Sequence, residues 1–153
     1  MATKAESVID ALKTQIEEYF ADADAWEGPA VAIEKNSALP EVIPAGGLII
    51  VRDGDPGEEV DPVLGQIAPF YYQHSAEIEV YVEEAVQSAR DALFRDLVEA
   101  IGLALEVDNT LGGEIHGMDY GPAEPVTTPI EGGHDIKSGV IRPVLDYQSN
   151  TRL

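Results

Sequence analysis

Apolar residues recur at three- and four-residue spacing in two long stretches of the chain. The first covers residues 8–20, where acidic and basic residues fall between the apolar positions. The second covers residues 89–107, where leucine, isoleucine, valine and alanine recur at the same spacing. This spacing is typical of a helix that buries one face. We therefore predict two amphipathic helices, the first ending within residues 21–26 and the second capped by Ser88.

Two further stretches have strand patterns. Residues 46–52 are almost continuously apolar and rich in β-branched side chains, which is typical of a strand buried on both faces. Residues 70–82 alternate between apolar and polar side chains, as a strand with one buried face requires. We expect the first of these to be the central strand of a sheet.

Three weaker patterns, at residues 31–33, 115–120 and 136–147, add shorter strands. Pro143 lies within the last of them, and because proline has no amide donor it favours an edge position or a bulge. The order of elements predicts a single α+β domain over residues 1–153. Its sheet is expected to be mostly antiparallel, with the two amphipathic helices on one face.

The charge balance excludes several classes of function. The 153 residues include 9 Lys and Arg against 29 Asp and Glu, a formal net charge of −20 at pH 7. Binding to nucleic acids and to anionic membrane surfaces needs the opposite sign, so we expect neither. No apolar run approaches the roughly 20 residues that span a bilayer, and no signal-peptide pattern is visible, so we expect a soluble chain. Without cysteine, disulfides and thiolate chemistry are excluded.

Acidic residues are concentrated in residues 53–62, which contain five carboxylates, two glycines, two prolines and no base. This composition predicts a solvated loop. Asp53 and Asp55 resemble the opening of a calcium-binding loop, but Leu64 stands where the bidentate glutamate is expected. We interpret the segment as an acidic exposed turn.

Histidines are the candidate bases for nucleophilic catalysis, and the chain has three of them: His74, His116 and His134. No nucleophile motif accompanies them. His74 is next to Ser75 on a predicted strand, so the two side chains should project to opposite faces. We predict no catalytic residue.

A metal site is the other chemistry considered. Glu114 and His116 lie two residues apart and would share one face of a strand, with His134 or Asp135 as a distant third ligand. Two ligands do not make a site, and chance pairing is the simpler interpretation. We predict no metal and no cofactor.

Several short motifs and the order of elements resemble a known family. The motifs are residues 44–57, residues 74–80, residues 90–94, residues 110–113, Glu124-Pro125 and residues 129–132. With them the chain resembles the tail terminator (tail completion) proteins of long-tailed, non-contractile phages, prophages and gene transfer particles. The resemblance covers most of the chain, and none of its motifs is a catalytic signature.

This resemblance implies a structural virion protein and not an enzyme. It implies a homohexameric ring at the head-proximal end of the tail, assembled in the host cytoplasm. The ring caps the phage tail tube, ends its polymerisation and joins the tail to the head connector. The implied partners are other copies of the chain, the tail tube protein and the head–tail connector protein, with DNA passing through a channel without specific binding. The high negative charge departs from the family.

An acidic wall would suit such a channel, because like charge repels phosphate. Six copies would carry a formal charge of −120, six times −20, so we expect assembly to depend on salt or cations. Solubility in a salty habitat is the alternative explanation of the acidity.

Contacts between subunits are expected at sheet edges and loops. The candidate surface consists of acidic residues and the aromatic residues that follow them: Asp53, Asp55, Glu58, Glu59, Asp61, Phe70, Tyr71 and Tyr72. Clustered aromatics beside a loop suit a surface that is buried on assembly, and core packing is their alternative role. Two other functions stay open: a small acidic accessory or adaptor module that binds a basic partner, and a small metal-assisted enzyme using Glu114 and His116.

Overall fold

The computed structural model describes residues 2–60, 65, 67–128 and 134–152. Within them the chain forms two helices and one seven-stranded sheet. The elements are α1 (Lys4–Ala21), β1 (Ala32–Lys35), β2 (Leu48–Asp55), β3 (Phe70–Glu83), α2 (Gln87–Val107), β4 (Gly117–Asp119), β5 (Val126–Thr128), β6 (Ile136–Ile141) and β7 (Val144–Ser149). β1 and β2 pair in parallel, and the other described pairs are antiparallel. The expected α+β class with a mostly antiparallel sheet is confirmed.

β3 is the centre of the sheet. Neighbouring strands follow the order β1-β2-β3-β6-β5, and β7 pairs with both β3 and β4. β3 is long enough to pair with β6 along its second half and with β7 along its first half. The expectation that residues 46–52 form the central strand is therefore wrong, because β2 lies between β1 and β3, one place from the edge.

Both helices pack on the same face of the sheet, as predicted. The core-facing residues of the helices are Val8, Ile9, Leu12 and Ile16 of α1 and Phe94, Leu97, Ile101, Ala104 and Leu105 of α2. They meet the alternate residues of β3, of which Ala76, Ile78 and Val80 are fully buried. The alternation read in residues 70–82 is confirmed, and it places the main core between the helices and this face.

The helix boundaries agree with the patterns except at one cap. α1 ends at Ala21, within the predicted range. α2 begins at Gln87, so Val86 is its N-cap residue and the expected cap at Ser88 is wrong. Ser88 is already the second helical residue, and the Arg90 N–H donates to the carbonyl oxygen of Val86 at 2.9 Å.

β2 is buried on both faces, as its continuous apolar sequence predicts. Ile49 and Val51 point into the main core. Leu48 and Ile50 point to the opposite face, where Ile43 from the segment before β2 packs over them. The opposite face of the sheet therefore has a small apolar cluster of its own.

Pro143 divides the strand predicted over residues 136–147 into β6 and β7. The two halves pair with β3 in one continuous register, so there is no bulge at the proline. The Ala76 N–H donates to the Pro143 carbonyl oxygen at 3.0 Å, and Pro143 has no N–H with which to return the bond. β5 pairs along residues 136–138 and β4 along residues 144–146, so within the described residues the proline has the local edge position.

The short strands were only partly predictable. Residues 31–33 and 115–120 correspond to β1 and β4, each displaced or shortened by one to three residues. β5 was not predicted, since its Val-Thr-Thr sequence is three residues long and follows Pro125.

Candidate interaction surfaces

The predicted acidic loop begins inside a strand. β2 continues to Asp55, with an irregular register against β3 between Arg52 and Asp55. The expectation of a loop from Asp53 onward is therefore wrong for its first three residues. Asp53 and Asp55 are nonetheless exposed, so the acidic character of this end of β2 faces solvent.

The rest of the acidic segment is divided by burial. Glu58 is exposed. Only 10% of the Glu59 side chain is exposed, and its Oε1 atom lies 3.6 Å from Nε of Arg152. Asp61 lies outside the described residues. Glu59 therefore has a structural ion pair, whereas Glu58 is available to a partner.

The three aromatic residues at the start of β3 face different surroundings. Phe70 is buried, with the guanidinium of Arg152 4.2 Å from its ring centroid. Tyr72 is half-buried, and its ring lies 6.1 Å from that of Tyr147. Tyr71 is exposed. Phe70 thus belongs to the packed interior, and Tyr71 is the aromatic side chain that a partner would meet.

The acidic and aromatic residues are brought together by backbone pairing. The Val60 N–H donates to the Tyr71 carbonyl oxygen at 2.8 Å, and Glu59 forms an antiparallel bridge with Tyr72. Of the residues proposed as one surface, Glu59, Tyr71 and Tyr72 are therefore neighbours in space at the start of β3.

His74 is a buried core histidine. Its Nε2 atom faces the carbonyl oxygen of Asp53, which can only accept a hydrogen bond, so Nε2 is assigned as the donor and the Nε2–H tautomer follows. Nδ1 then accepts a hydrogen bond from the Tyr147 hydroxyl at 2.9 Å. Both ring nitrogens are satisfied inside the fold, and the strand alternation turns Ser75 to the other face.

Glu114 and His116 do not share the face of a strand. Both precede β4, in a stretch of turns. Glu114 forms an ion pair with Lys4 at 3.0 Å, and His116 and His134 are exposed. Among the residues that the structure describes, no three His, Asp, Glu or Cys side chains are grouped so that they could hold a metal ion.

Every basic side chain has an acidic neighbour. All nine Lys and Arg residues lie in the described part of the chain, each within 4.0 Å of a different carboxylate. The pairs are Lys4–Glu114, Lys13–Glu17, Lys35–Asp10, Arg52–Glu79, Arg90–Asp135, Arg95–Asp96, Lys137–Asp91, Arg142–Glu77 and Arg152–Glu59. Among the described residues, every other carboxylate is more than 4.0 Å from a basic side chain, so the negative charge is carried largely by carboxylates outside these nine pairs.

Within the described residues, three strands of the sheet have one unpaired side each: β1 at one end, and β5 and β4 at the other. Among these residues, β1 pairs with β2 alone, β5 with β6 alone and β4 with β7 alone. All three side chains of β5 are exposed, and Val126 is 58% exposed. Because β1 and β5 close the strand order at opposite ends, the free sides face away from each other across the sheet.

A groove of about 590 Å³ lies where the C-terminal ends of the two helices meet, and we call it the helix-end groove. Gln15 Nε2 holds the helices together by donating to the carbonyl oxygens of Ala104 (2.9 Å) and Asp108 (3.1 Å). The lining includes apolar and acidic side chains, among them Tyr19, Val107, Leu111, Glu18, Asp22 and Asp108. Sequence patterns gave no signal for this groove, because its two sides are distant in the chain.

No protein-family model matches the chain, and no curated protein sequence matches it significantly. In the part of the chain that the structure describes, neither helix combines the length and the apolar character needed to cross a bilayer. Function is therefore inferred from the motifs, edges and charges of the chain itself.

Proposed function

We propose that the protein is a subunit of a hexameric ring that caps a phage tail tube, ends its polymerisation and joins the tail to the head connector protein. The resemblance of residues 44–57, 74–80 and 90–94 to tail terminator proteins supports this assignment. An α+β fold is compatible with it, although a fold alone does not assign a function. In this proposal the protein is a structural virion component without a catalytic site.

The single observation that carries the proposal is that the sheet, in the residues the structure describes, has unpaired edge strands at both ends, β1 at one and β5 and β4 at the other. The exposed backbone N–H and C=O groups of an edge strand are ready to pair with another chain. A contact between β5 of one subunit and β1 of the next would be a head-to-tail contact, which closes into a ring when the rotation per subunit fits. The number of subunits in the ring, six, is what the family resemblance implies.

The distribution of charge suits a channel for DNA. Because each basic side chain lies within 4.0 Å of a carboxylate, the surface offers phosphate no uncompensated base. Repulsion between carboxylates and phosphates would keep a passing duplex from sticking. The same repulsion opposes ring closure until salt screens it to a range of about 8 Å.

Absolute mass in solution, measured by light scattering over a range of protein and salt concentrations, is the first test. We expect a species of six times the 16.4 kDa subunit mass that increases with salt. The same preparation, added to growing tail tubes, should stop their elongation in electron micrographs. A monomer under all conditions that also leaves tube growth unchanged would overturn the proposal.

The edge contact has a test of its own. Val126→Lys places a charge at the free edge of β5 and should prevent hexamer formation without unfolding the subunit, since the side chain is 58% exposed. Val42→Lys is the matched control, because Val42 is 72% exposed and lies before β2, outside the strands and the helix-end groove. Equal loss of the hexamer in both variants would show that added charge, and not the edge, is responsible.

A further inference from the structure

We propose that the helix-end groove is a docking site for a basic, amphipathic segment of a different protein. The proposal goes beyond the ring and does not depend on it, because the groove is formed by the ends of two helices and not by the edge strands. In this proposal, part of the chain's excess of carboxylates serves to bind basic side chains at a defined site.

The groove offers apolar surface. Leu111 is buried at its floor, Tyr19 is half-buried, and Val107 at its side is 68% exposed. Leu103, one turn before Val107 on α2, is also exposed. Residues four apart on a helix are neighbours on its surface, so these two form a continuous apolar strip beside the groove. The volume of about 590 Å³ is within the usual range of about 300–1,000 Å³ for binding pockets.

Carboxylates and the ends of the two helices both make the electrostatic potential of the groove negative. Glu18, Asp22 and Asp108 line it, and no Lys, Arg or His does. The C-terminal ends of both α1 and α2 are there, and helix dipoles make such ends attractive to cations. Neither helix has a basic residue in its last turn, so the chain itself does not neutralise this potential.

Asp108 remains charged over a wide pH range. Its carboxylate accepts hydrogen bonds from the side chain and backbone of Thr110 and from the backbone of Gly112, and these bonds lower its pKa. The acidic character of the groove is therefore maintained well below neutral pH.

The charge of the whole chain identifies the occupant as a different protein. In a second copy, every basic side chain lies within 4.0 Å of a carboxylate, so that copy would bring no uncompensated positive charge to the groove. It would also bring its own charge of −20. A segment in which Lys or Arg flanks apolar side chains matches both the strip and the acidic lining.

A synthetic peptide of leucines and lysines is the probe for this site. Its dissociation constant is measured by fluorescence anisotropy at physiological salt, on full-length protein. We expect the double variant Glu18→Gln/Asp22→Asn to bind about tenfold more weakly, on the scale of two exposed charge pairs. Val107→Ser should weaken binding about threefold by removing apolar contact.

Two controls separate docking from general attraction to an acidic protein. Glu34→Gln/Glu41→Gln removes the same number of exposed charges elsewhere and should change the dissociation constant less than about twofold. A peptide with serine in place of leucine keeps the charge and should bind at least about tenfold more weakly. Equal losses in the two double variants, or equal binding of the two peptides, would overturn the proposal.

Mass is measured by light scattering on the same samples, so that ring formation and peptide binding can fail separately. Retention of the hexamer in Glu18→Gln/Asp22→Asn together with weaker peptide binding supports docking of a different protein. Loss of the hexamer with unchanged peptide binding would show that a second copy occupies the groove, and would overturn the proposal.

Discussion

At the scale of single residues, the hydrogen bond between Tyr147 and His74 shows how the core accommodates a polar ring. Tyr147→Phe removes the hydroxyl that donates to Nδ1 at 2.9 Å and leaves a buried acceptor without a donor. We expect the free energy of unfolding, measured in urea, to fall by about 1–3 kcal/mol. Tyr71→Phe is the control, since Tyr71 is exposed, and should change it by less than about 0.5 kcal/mol. Similar losses in both variants would contradict this role.

Tyrosine ionisation gives a pH dependence. The pKa values of Tyr81, Tyr120 and Tyr147 are raised to about 12, mainly by burial, and carboxylates that accept the phenol hydrogen bonds of Tyr81 and Tyr120 add to the rise. An unfolded tyrosine ionises near pH 10. Above about pH 10 the unfolded chain releases these protons and the folded chain keeps them, so stability is retained below pH 10 and falls towards pH 12.

The measurement is urea unfolding at several pH values, together with the phenolate absorbance of the folded protein. Three of the six tyrosines should ionise late, and Tyr81→Phe should remove one of these three. Ionisation of all six with one pKa near 10 in the folded protein would contradict the buried hydrogen-bonded phenols.

At the scale of elements, the two helices differ in how they begin. Thr3 and Glu6 form a capping box at the start of α1, whereas Val86 caps α2 without a side-chain hydrogen bond. Thr3→Ala should lower the free energy of unfolding by about 1 kcal/mol. Ser88→Ala should not lower it, because Ser88 is inside α2. Thermal and urea unfolding of both variants test this. If Ser88→Ala lowers the free energy of unfolding as much as Thr3→Ala does, Ser88 caps α2 after all.

Periodicity predicted which parts of the chain are helices and strands, because burial of one face leaves a local pattern. It did not predict the centre of the sheet. Residues 46–52 are the more apolar strand since both faces are covered, but coverage of the faces does not determine the number of hydrogen-bonded neighbours. β3 is central because residues 136–149 pair along its whole length, which is a long-range contact without a local signal.

At the scale of the whole molecule, the candidate surfaces were predictable only where they are local in sequence. The acidic and aromatic residues before and within β3 were identified from composition, and the structure brings Glu59 and Tyr72 together. The burial of Phe70 under Arg152 was not predictable, because the two are distant in the chain. The helix-end groove was missed for the same reason.

The surplus of unpaired carboxylates sets the response of the whole molecule to salt. Asp24, Glu27 and Glu34 are exposed, and no basic side chain lies within 4.0 Å of them, whereas Asp10 forms an ion pair with Lys35 at 2.6 Å. Replacing the first three by Asn, Gln and Gln reduces like-charge repulsion, so the Tm measured at low salt should rise. Asp10→Asn removes an attraction and should lower the Tm. The corresponding loss in the free energy of unfolding is up to about 1 kcal/mol.

Both differences should shrink in about 1 M salt, where the screening length is about 3 Å. The Tm of the unmodified protein should rise with salt over the same range, because repulsion among its remaining carboxylates is screened. A triple variant with an unchanged Tm at low salt would show that these charges are too far apart to oppose folding. The acidity would then act between molecules, on assembly and binding, and not within the subunit.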